Sequence, residues 1–227
     1  MKILVLDVGG SNVKIQATGN LRRLKFPSGP EMTPARMVTA VKKLVAEWDY
    51  EAVSIGYPGP VVDNRIVREP HNLPPGWVGF DFKKAFGCPV KIINDAAMQA
   101  LGSYRGRRMI FLGLGTGLGS AMVVEGKVIA LELAHLPYRK GRTYEDYLGL
   151  KGFERMGKKK WIAHVFEVVG LFQAAFVVDY FVLGGGNARF LETLPPNTFL
   201  GRNANAIRGG FRLWEETPST GKSGATA

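Results

Sequence analysis

Residues 6–14 read LDVGGSNVK, and residues 112–120 read LGLGTGLGS. Each stretch places a glycine-rich turn between two short apolar runs of β character, which predicts a tight β-hairpin. Glycine permits positive φ angles and lets a ligand approach the backbone N–H groups closely. Adjacent N–H groups that point into one concavity bind anions, phosphate above all. Two such turns in one chain predict two similar half-molecules that hold one phosphate donor between them.

The same order of elements is predicted around each turn: three strands, a helix, a strand and a helix. We expect an N-terminal lobe over residues 1–106 and a C-terminal lobe over 107–203, the latter with an irregular stretch at 132–143. A final helix at 204–216 is expected to return to the N-terminal lobe. The polar, small-residue tail at 217–227 is expected to be disordered. The fold class is therefore α/β, with mixed sheets flanked by helices.

The composition describes an ordinary globular chain: 46% of its 227 residues are hydrophobic and 22% are charged. No apolar run reaches the roughly 18 residues of a membrane span. Met1 and Lys2 lead directly into a predicted strand, so we expect no signal peptide. The single cysteine, Cys88, excludes an internal disulfide framework and a cysteine-rich zinc site. These features predict a cytoplasmic protein without a membrane partner, and a homodimer is expected from the frequency of that assembly.

The formal net charge is +11. Solvated lysines and arginines explain such an excess, and so does a polyanionic ligand such as nucleic acid or a phosphate polymer. Basic clusters occur at 105–108, 139–142 and 158–160. None is interleaved with aromatic residues in the pattern of a nucleic-acid module, so nucleic acid is not an expected partner.

Asp7 ends the first predicted strand, directly before the first glycine turn. A carboxylate beside bound phosphate is unfavourable unless a cation neutralises it, which indicates Mg²⁺ held through water. Asp7 can also simply cap the turn. In the second turn Thr116 can offer its hydroxyl and N–H to a phosphate. The phosphate-binding candidates are Asp7, Gly9, Gly10, Ser11, Lys14, Gly115, Thr116 and Gly117, together with the later triplet Gly184, Gly185 and Gly186.

Asn94 and Asp95 lie where a buried strand is predicted to meet a helix. Ligand sites of α/β sheets form at the carboxyl ends of strands. Asp95 can accept the proton of a substrate hydroxyl, as a general base does in phosphoryl transfer. The pair also fits a helix N-cap, and both roles are compatible.

Three further polar side chains follow the second meander. Glu132 and His135 are three residues apart and would share one face of a helical turn, where they suit sugar hydroxyls or a metal. Glu145 adds a third polar candidate or a solvated carboxylate. Asn72 follows the dense Pro-Gly turn at 56–60 and is a further candidate for the cleft.

Taken in order, these motifs resemble those of the ROK sugar kinases of the actin/hexokinase superfamily. The resemblance covers roughly residues 3–212 and rests on eight ordered segments. These are 7–14, 58–61, 72–77, 94–96, 114–119, 132–135, Glu145 and 183–186.

The resemblance implies a two-lobed, actin-like (RNase H-like) fold with sugar in the interdomain cleft. It gives Asp95 the position of the catalytic base. It gives sugar-binding positions to Asn72, Asn94, Asp95, Glu132, His135 and Glu145. The implied reaction moves a phosphoryl group from ATP or polyphosphate to the 6-hydroxyl of glucose or a related hexose, with Mg²⁺ as cofactor.

Two departures from the family pattern change these expectations. LPYRK at 136–140 stands where most members carry a cysteine-rich zinc motif, so no zinc is expected and His135 remains a substrate ligand. Position 134 is Ala where the family usually has Gly. The zinc-free form is similar to the polyphosphate glucokinase branch. A non-catalytic sugar or nucleotide sensor of the same fold is the main alternative, and a kinase for a small carboxylic acid is another.

Overall fold

The computed structural model describes residues 1–202 and 204–215 and contains two five-stranded sheets. The strands of the first are β1 (Ile3–Val8), β2 (Asn12–Ala17), β3 (Leu24–Pro27), β4 (Ala52–Tyr57) and β7 (Val90–Asn94). They lie in the order β3-β2-β1-β4-β7, with the β1–β3 meander antiparallel and β4 and β7 parallel to β1. All six residues of β1 are buried, as expected for a central strand covered on both faces.

The second sheet repeats this topology. Its strands are β8 (Arg108–Leu114), β9 (Leu118–Val124), β10 (Lys127–Leu131), β13 (Tyr180–Gly184) and β14 (Thr198–Leu200). Their order is β10-β9-β8-β13-β14, so each sheet has a three-stranded meander followed by two parallel strands. The predicted mixed α/β architecture and both meanders are confirmed.

The remaining elements connect and cover the sheets. The two short hairpins are β5 (Val61–Val62) with β6 (Arg65–Ile66) and β11 (Pro137–Arg139) with β12 (Arg142–Thr143). The α-helices are α1 (Pro34–Leu44), α2 (Phe82–Phe86), α3 (Asp95–Ser103), α4 (Tyr144–Leu148), α5 (Leu150–Met156), α6 (Lys158–Ala175) and α7 (Asn205–Arg212). No helix within the described ranges is both long and apolar enough to cross a bilayer.

The prediction of an irregular stretch at 132–143 was wrong. A 3₁₀ turn spans Leu133–His135, and the hairpin β11–β12 follows it. Tyr138 in β11 stacks on Tyr144 with ring centroids 5.0 Å apart and meets Tyr147 edge-on at 4.9 Å. The Tyr138 hydroxyl also lies 3.0 Å from Nδ1 of His164 on α6, and a local sequence pattern does not reveal this contact between residues 26 positions apart.

Helix α7 closes the first sheet, although it comes after the second in the chain. Ala206 and Ile207 pack with Val5 of β1 and Met98 of α3. The hydroxyl of Ser54 in β4 donates to the carbonyl oxygen of Gly210 at 2.6 Å. Helix α3 therefore lies between the two sheets and against α7. The predicted tail at 217–227 lies outside the described residues.

Candidate active site

A cleft of about 650 Å³ lies between the two sheets, at the glycine turns. This volume is within the range of small-molecule sites. Both turns, the start of α3 and the segment after β10 contribute to its wall. Of the predicted site residues, the following line it: Gly10, Ser11, Asn72, Asn94, Asp95, Gly115, Thr116, Gly117, Glu132, His135, Glu145 and Gly185.

The first glycine turn is held by a residue from the end of β3. The N–H of Gly9 donates to the carbonyl of Asn12 at 3.0 Å, which closes the turn. Ser28 donates its hydroxyl to the carbonyl of Gly9 at 2.7 Å and its N–H to the carbonyl of Ser11 at 3.1 Å. Within the described residues the N–H groups of Gly10 and Ser11 have no protein acceptor. They are available to an anion in the cleft.

Hydrogen bonds from residues distant in sequence also hold the second turn. Its Gly115 carbonyl accepts from the side-chain amide of Asn187 at 3.1 Å and from the N–H of Leu150 at 3.1 Å. The N–H groups of Thr116 and Gly117 have no acceptor in the part of the chain that the structure describes. Both lobes thus present a pair of backbone donors to the same cleft.

Asp95 is placed by the junction of β7 and α3. Asn94 is the N-cap: its side-chain oxygen accepts from the N–H of Ala97 at 3.1 Å, and its amide donates to the carbonyl of Gly59 at 3.1 Å. One oxygen of Asp95 accepts from the N–H of Ala96 at 2.7 Å. These bonds fix the carboxyl group at the wall of the cleft.

Burial, and next the negative charge of Asp7, raise the pKa of Asp95 to about 7. The bond from the Ala96 N–H and the charge of Lys14 act in the opposite direction. Asp7 itself is 4% exposed and pairs with the Lys14 ammonium at 2.8 Å. A carboxyl group with this pKa exchanges protons readily near neutral pH, which suits a general base.

Glu132 and His135 lie at the opposite wall on the 3₁₀ turn, with 3.5 Å between an Oε2 and the Nε2. Both are exposed. Glu145 has a different environment: its Oε2 accepts from the N–H of Leu118 at 3.0 Å, next to the second turn. Asn72 packs against Gly10, so the segment proposed for the sugar touches the phosphate turn.

Five predicted residues do not line the cleft: Asp7, Gly9, Lys14, Gly184 and Gly186. Asp7 and Lys14 lie beneath it as a pair, and Gly9 closes the first turn. Gly184 ends β13 against the Phe111 ring. Gly185 has a φ of 82°, and a β-carbon there would lie 2.5 Å from the Leu114 carbonyl. Gly184 and Gly185 therefore allow close packing against β8, whereas a β-carbon at Gly186 would meet no atom within 4 Å.

The sequence reasoning missed five polar residues at the site: Ser28, Arg68, Glu69, Gln99 and Asn187. Glu69 lines the cleft and accepts from the N–H groups of Trp77 at 3.0 Å and Val78 at 3.2 Å. Burial acts to raise the pKa of Glu69, but bonds from the backbone N–H groups lower it overall. Glu69 thus closes the loop that carries Asn72. No local motif marks these residues, and the backbone groups that Ser28, Glu69 and Asn187 bond lie 8 to 72 positions away.

The donor set fits Mg²⁺ held mainly by phosphate and water. In the described residues no group of three or more His, Cys, Asp or Glu side chains could hold a metal ion. Asp7 offers one carboxylate, whose Oδ2 is taken by Lys14. Mg²⁺ usually keeps several waters and binds through one or two carboxylates and substrate phosphates. Asp7 therefore fits as a carboxylate near such an ion.

Two related sheets around a polar cleft define a two-lobed protein of the actin-like class. The chain belongs to the ROK family, whose model matches residues 3–131. This confirms the resemblance and the fold class that the sequence suggested.

Relatives include both enzymes and a regulator. The polyphosphate glucokinase of Mycobacterium tuberculosis is 29% identical over 213 residues, which span 84% of this chain and 80% of that protein. The polyphosphate/ATP-glucomannokinase of Arthrobacter sp. strain KM has a TM-score of 0.76 at 24% identity, covering 92% of this chain and 96% of that one. A ROK transcriptional regulator, a homologue of the E. coli MLC protein, has a TM-score of 0.73 at 15% identity, covering 93% and 77%. The fold alone therefore does not separate a kinase from a regulator.

Proposed function

We propose that the protein is a sugar kinase that transfers a phosphoryl group from ATP or polyphosphate to the 6-hydroxyl of glucose or a related hexose. The observation that carries the proposal is Asp95, a carboxyl group with a pKa of about 7 in a cleft with two pairs of backbone N–H groups that have no acceptor among the described residues. Its placement next to phosphate-binding turns is what phosphoryl transfer to a hydroxyl requires. The glucokinase relative supports the choice of a hexose.

The proposed sugar site lies on both walls of the cleft. Asn72 and Asn94 offer amide groups from the first lobe, and Glu132 and His135 offer a carboxylate and an imidazole from the second. Such groups match the alternating donors and acceptors of a neutral sugar. Glu145 is available to the sugar through its second oxygen, because Leu118 takes the first.

In the transfer step Asp95 accepts the proton of the sugar hydroxyl. The hydroxyl oxygen forms a bond to the terminal phosphorus, while the bond between that phosphorus and its bridging oxygen breaks. The electron pair of the broken bond leaves with the donor, which is one phosphate shorter. The N–H groups of Gly10, Ser11, Thr116 and Gly117 stabilise the phosphate oxygens. Mg²⁺, when bound near Asp7, supplies further charge neutralisation.

The assay that tests this proposal measures sugar phosphate formed from glucose and Mg²⁺, with ATP and polyphosphate in parallel reactions. Turnover with either donor supports the kinase. Sugar binding without turnover over a small panel of hexoses would instead favour the sensor, and turnover of a small carboxylic acid would favour the third hypothesis. Homodimer formation and a cytoplasmic location stay predictions of the sequence.

We expect kcat/KM for glucose to depend on pH through Asp95. The base acts in its ionised form, so activity should fall about tenfold per pH unit below a pKa of about 7 and level off above it. A carboxyl group with an ordinary pKa would leave the profile flat between pH 5 and 7. The measurement is a profile of kcat/KM from pH 5 to 9.

The Asp7→Asn variant tests whether Asp95 is the group whose protonation lowers kcat/KM at acidic pH. The substitution removes the like charge that raises the pKa of Asp95, and it leaves Lys14 without its partner. The pH below which kcat/KM falls should therefore become lower, even if the variant is slower at every pH. If the fall in kcat/KM stays at the same pH in the variant, a group other than Asp95 causes it.

A further inference from the structure

A group of aromatic side chains with polar tips follows the 3₁₀ turn Leu133–His135. Tyr138 of β11 stacks on Tyr144, and the Tyr147 ring lies edge-on to the rings of Tyr138 and His164, with centroids 4.9 and 4.7 Å apart. The Tyr138 hydroxyl lies 3.0 Å from Nδ1 of His164 in α6. We call Tyr138, Tyr144, Tyr147 and His164 the tyrosine–histidine cluster. None of the four lines the cleft.

The tyrosine–histidine cluster joins the two segments that carry the proposed sugar groups of the second lobe. Tyr138 is three residues after His135, and Glu145 directly follows Tyr144 at the start of α4. The N–H of Tyr144 also donates to the carbonyl oxygen of Leu136 at 3.1 Å. The position of both segments relative to α6 therefore depends on the same set of contacts.

The side chains of Glu132 and His135 have little support of their own. They are 58% and 66% exposed, and the carboxylate and the imidazole are 3.5 Å apart. Neither side chain makes a further hydrogen bond or ion pair within residues 1–202 and 204–215. The backbone of the turn, and so the contacts that anchor this backbone, therefore determine where the two groups meet a sugar.

The 3₁₀ turn is anchored at both ends. At its start the N–H of Leu133 donates to the hydroxyl of Ser120 in β9 at 3.2 Å, and this hydroxyl donates to the carbonyl of Leu131 at 2.8 Å. At its end the chain enters β11, whose Tyr138 contacts His164 of α6. The first anchor belongs to a strand in the middle of the β10–β9–β8 meander. The second depends on one tyrosine hydroxyl and one imidazole nitrogen.

The surroundings of this second anchor favour a hydrogen bond between neutral groups. Burial lowers the pKa of His164, so its imidazole is uncharged near pH 7. Burial, and next the carboxylate of Glu167, raise the pKa of Tyr138, so its hydroxyl keeps its proton. A neutral imidazole has one ring nitrogen that accepts, and the hydroxyl can donate to it. Arg139 of β11 also pairs with Glu167 of α6, but an ion pair this exposed contributes little.

We propose that Tyr138 and His164 are positioning residues for the sugar: their hydrogen bond holds β11 against α6 and thereby fixes the turn that presents His135 to the cleft. The inference rests on the proposed sugar-kinase function and adds two residues that do not themselves touch the sugar. A role in overall stability alone would alter the use of both substrates together. A positioning role should affect the sugar and spare the donor, because Ser28 and Asn187 hold the two glycine turns through other bonds.

The test compares Tyr138→Phe with Tyr104→Phe. Each substitution removes the hydroxyl of a half-buried ring, and the Tyr104 hydroxyl donates to the carbonyl of Arg107 at 2.8 Å, away from the cleft. Steady-state kinetics give kcat, KM for glucose and KM for the phosphoryl donor. We expect Tyr138→Phe to raise KM for glucose about three- to tenfold, the scale of one hydrogen bond, with the other two parameters within about twofold of the wild type. Tyr104→Phe should match the wild type in all three.

His164→Phe tests the other partner of the bond. It keeps an aromatic ring beside Tyr147 and removes the nitrogen that accepts from Tyr138. We expect a similar rise in KM for glucose, and the double variant with Tyr138→Phe should be little worse than either single variant, because both remove the same bond. Effects on KM that multiply in the double variant would mean that the two residues act separately, which contradicts the proposal.

The remaining outcomes separate this proposal from the kinase function. Equal rises in KM for glucose and for the donor would assign the contact to general stability, and an unchanged KM for glucose would reject the positioning role. Hydrogen exchange of backbone amides needs no turnover: Tyr138→Phe should speed exchange over residues 132–136 and leave both glycine turns unaltered. If the wild type phosphorylates no hexose, the kinase function fails, and unaltered exchange over 132–136 would show that the bond does not fix the turn either.

Discussion

Asp95→Asn is expected to lower kcat for hexose phosphorylation by at least ~10²-fold, the usual contribution of a general base. The substitution keeps the oxygen that accepts from the Ala96 N–H, so the start of α3 should not move. It removes the group that we propose takes the proton of the sugar hydroxyl. KM for the sugar should change little, because an amide can still hydrogen-bond to a hydroxyl. Steady-state kinetics with glucose and either donor measure both parameters.

A stability measurement separates loss of the base from damage to the fold. Burial and the charge of Asp7 raise the pKa of Asp95 from an ordinary 3.8 to about 7 in the folded protein, so folding favours its protonated form. The contribution of protonated Asp95 to the free energy of unfolding is fully present below the pKa that this group has in the unfolded chain. It is lost as pH rises through about 7. Asp95→Asn should therefore be more stable than the wild type above pH 7 and similar to it near pH 4. Near-full activity of the variant would refute Asp95 as the base.

Gly102→Ala is expected to lower the free energy of unfolding by about 2–3 kcal/mol or more, the range for added bulk in a packed interior. A β-carbon at Gly102 would overlap the backbone carbonyl of Asn205 and lie 2.7 Å from the N atom of Gly209. Backbone atoms of α7 cannot rotate away, so the two helices must separate. For a chain of this length the loss corresponds to a Tm roughly 4–12 °C lower.

Gly170→Ala is the matched control. Gly170 lies within the exposed face of α6, and a β-carbon there would meet no atom within 4 Å. Alanine is favoured over glycine inside a helix by up to about 1 kcal/mol, so this variant should be as stable as the wild type or more so. Thermal and denaturant unfolding of the pair give the comparison. If both variants unfold alike, α3 and α7 do not make the close contact that the structure shows.

Local patterns in the sequence were sufficient to predict the strands and helices around the two glycine turns. The strands of both meanders show the alternating or continuous apolar pattern that is typical of β-strands. Pro34 after Thr33 marks the start of α1, where the Thr33 hydroxyl accepts from the N–H of Arg36. The amphipathic pattern that follows Pro34 predicts a helix to Trp48, but α1 stops at Leu44. Helix ends depend on capping and tertiary contacts more than on periodicity.

The parts that sequence reasoning missed depend on long-range contacts. The hairpin β11–β12 contacts α6 through the hydrogen bond between the Tyr138 hydroxyl and Nδ1 of His164, 26 positions away. Ser28 and Asn187 secure the two phosphate turns through bonds to residues 19 and 72 positions away. A serine or asparagine in a loop has many possible hydrogen-bond partners, so its role can be assigned once the fold shows which partner lies beside it. The same holds for Glu69 and its bonds to the loop before α2.

The return of α7 to the first sheet has a consequence for biosynthesis. A ribosome releases the strands and α3 of the first lobe long before it reaches Asn205–Arg212. Until then a nascent chain leaves Val5 and Met98 uncovered, because Ala206 and Ile207 are their packing partners. The first lobe therefore cannot complete its apolar layer while the second is being translated, because α7 is the last element to be made. Translation must therefore pass through both lobes before α3, which begins at Asp95, has all its packing partners.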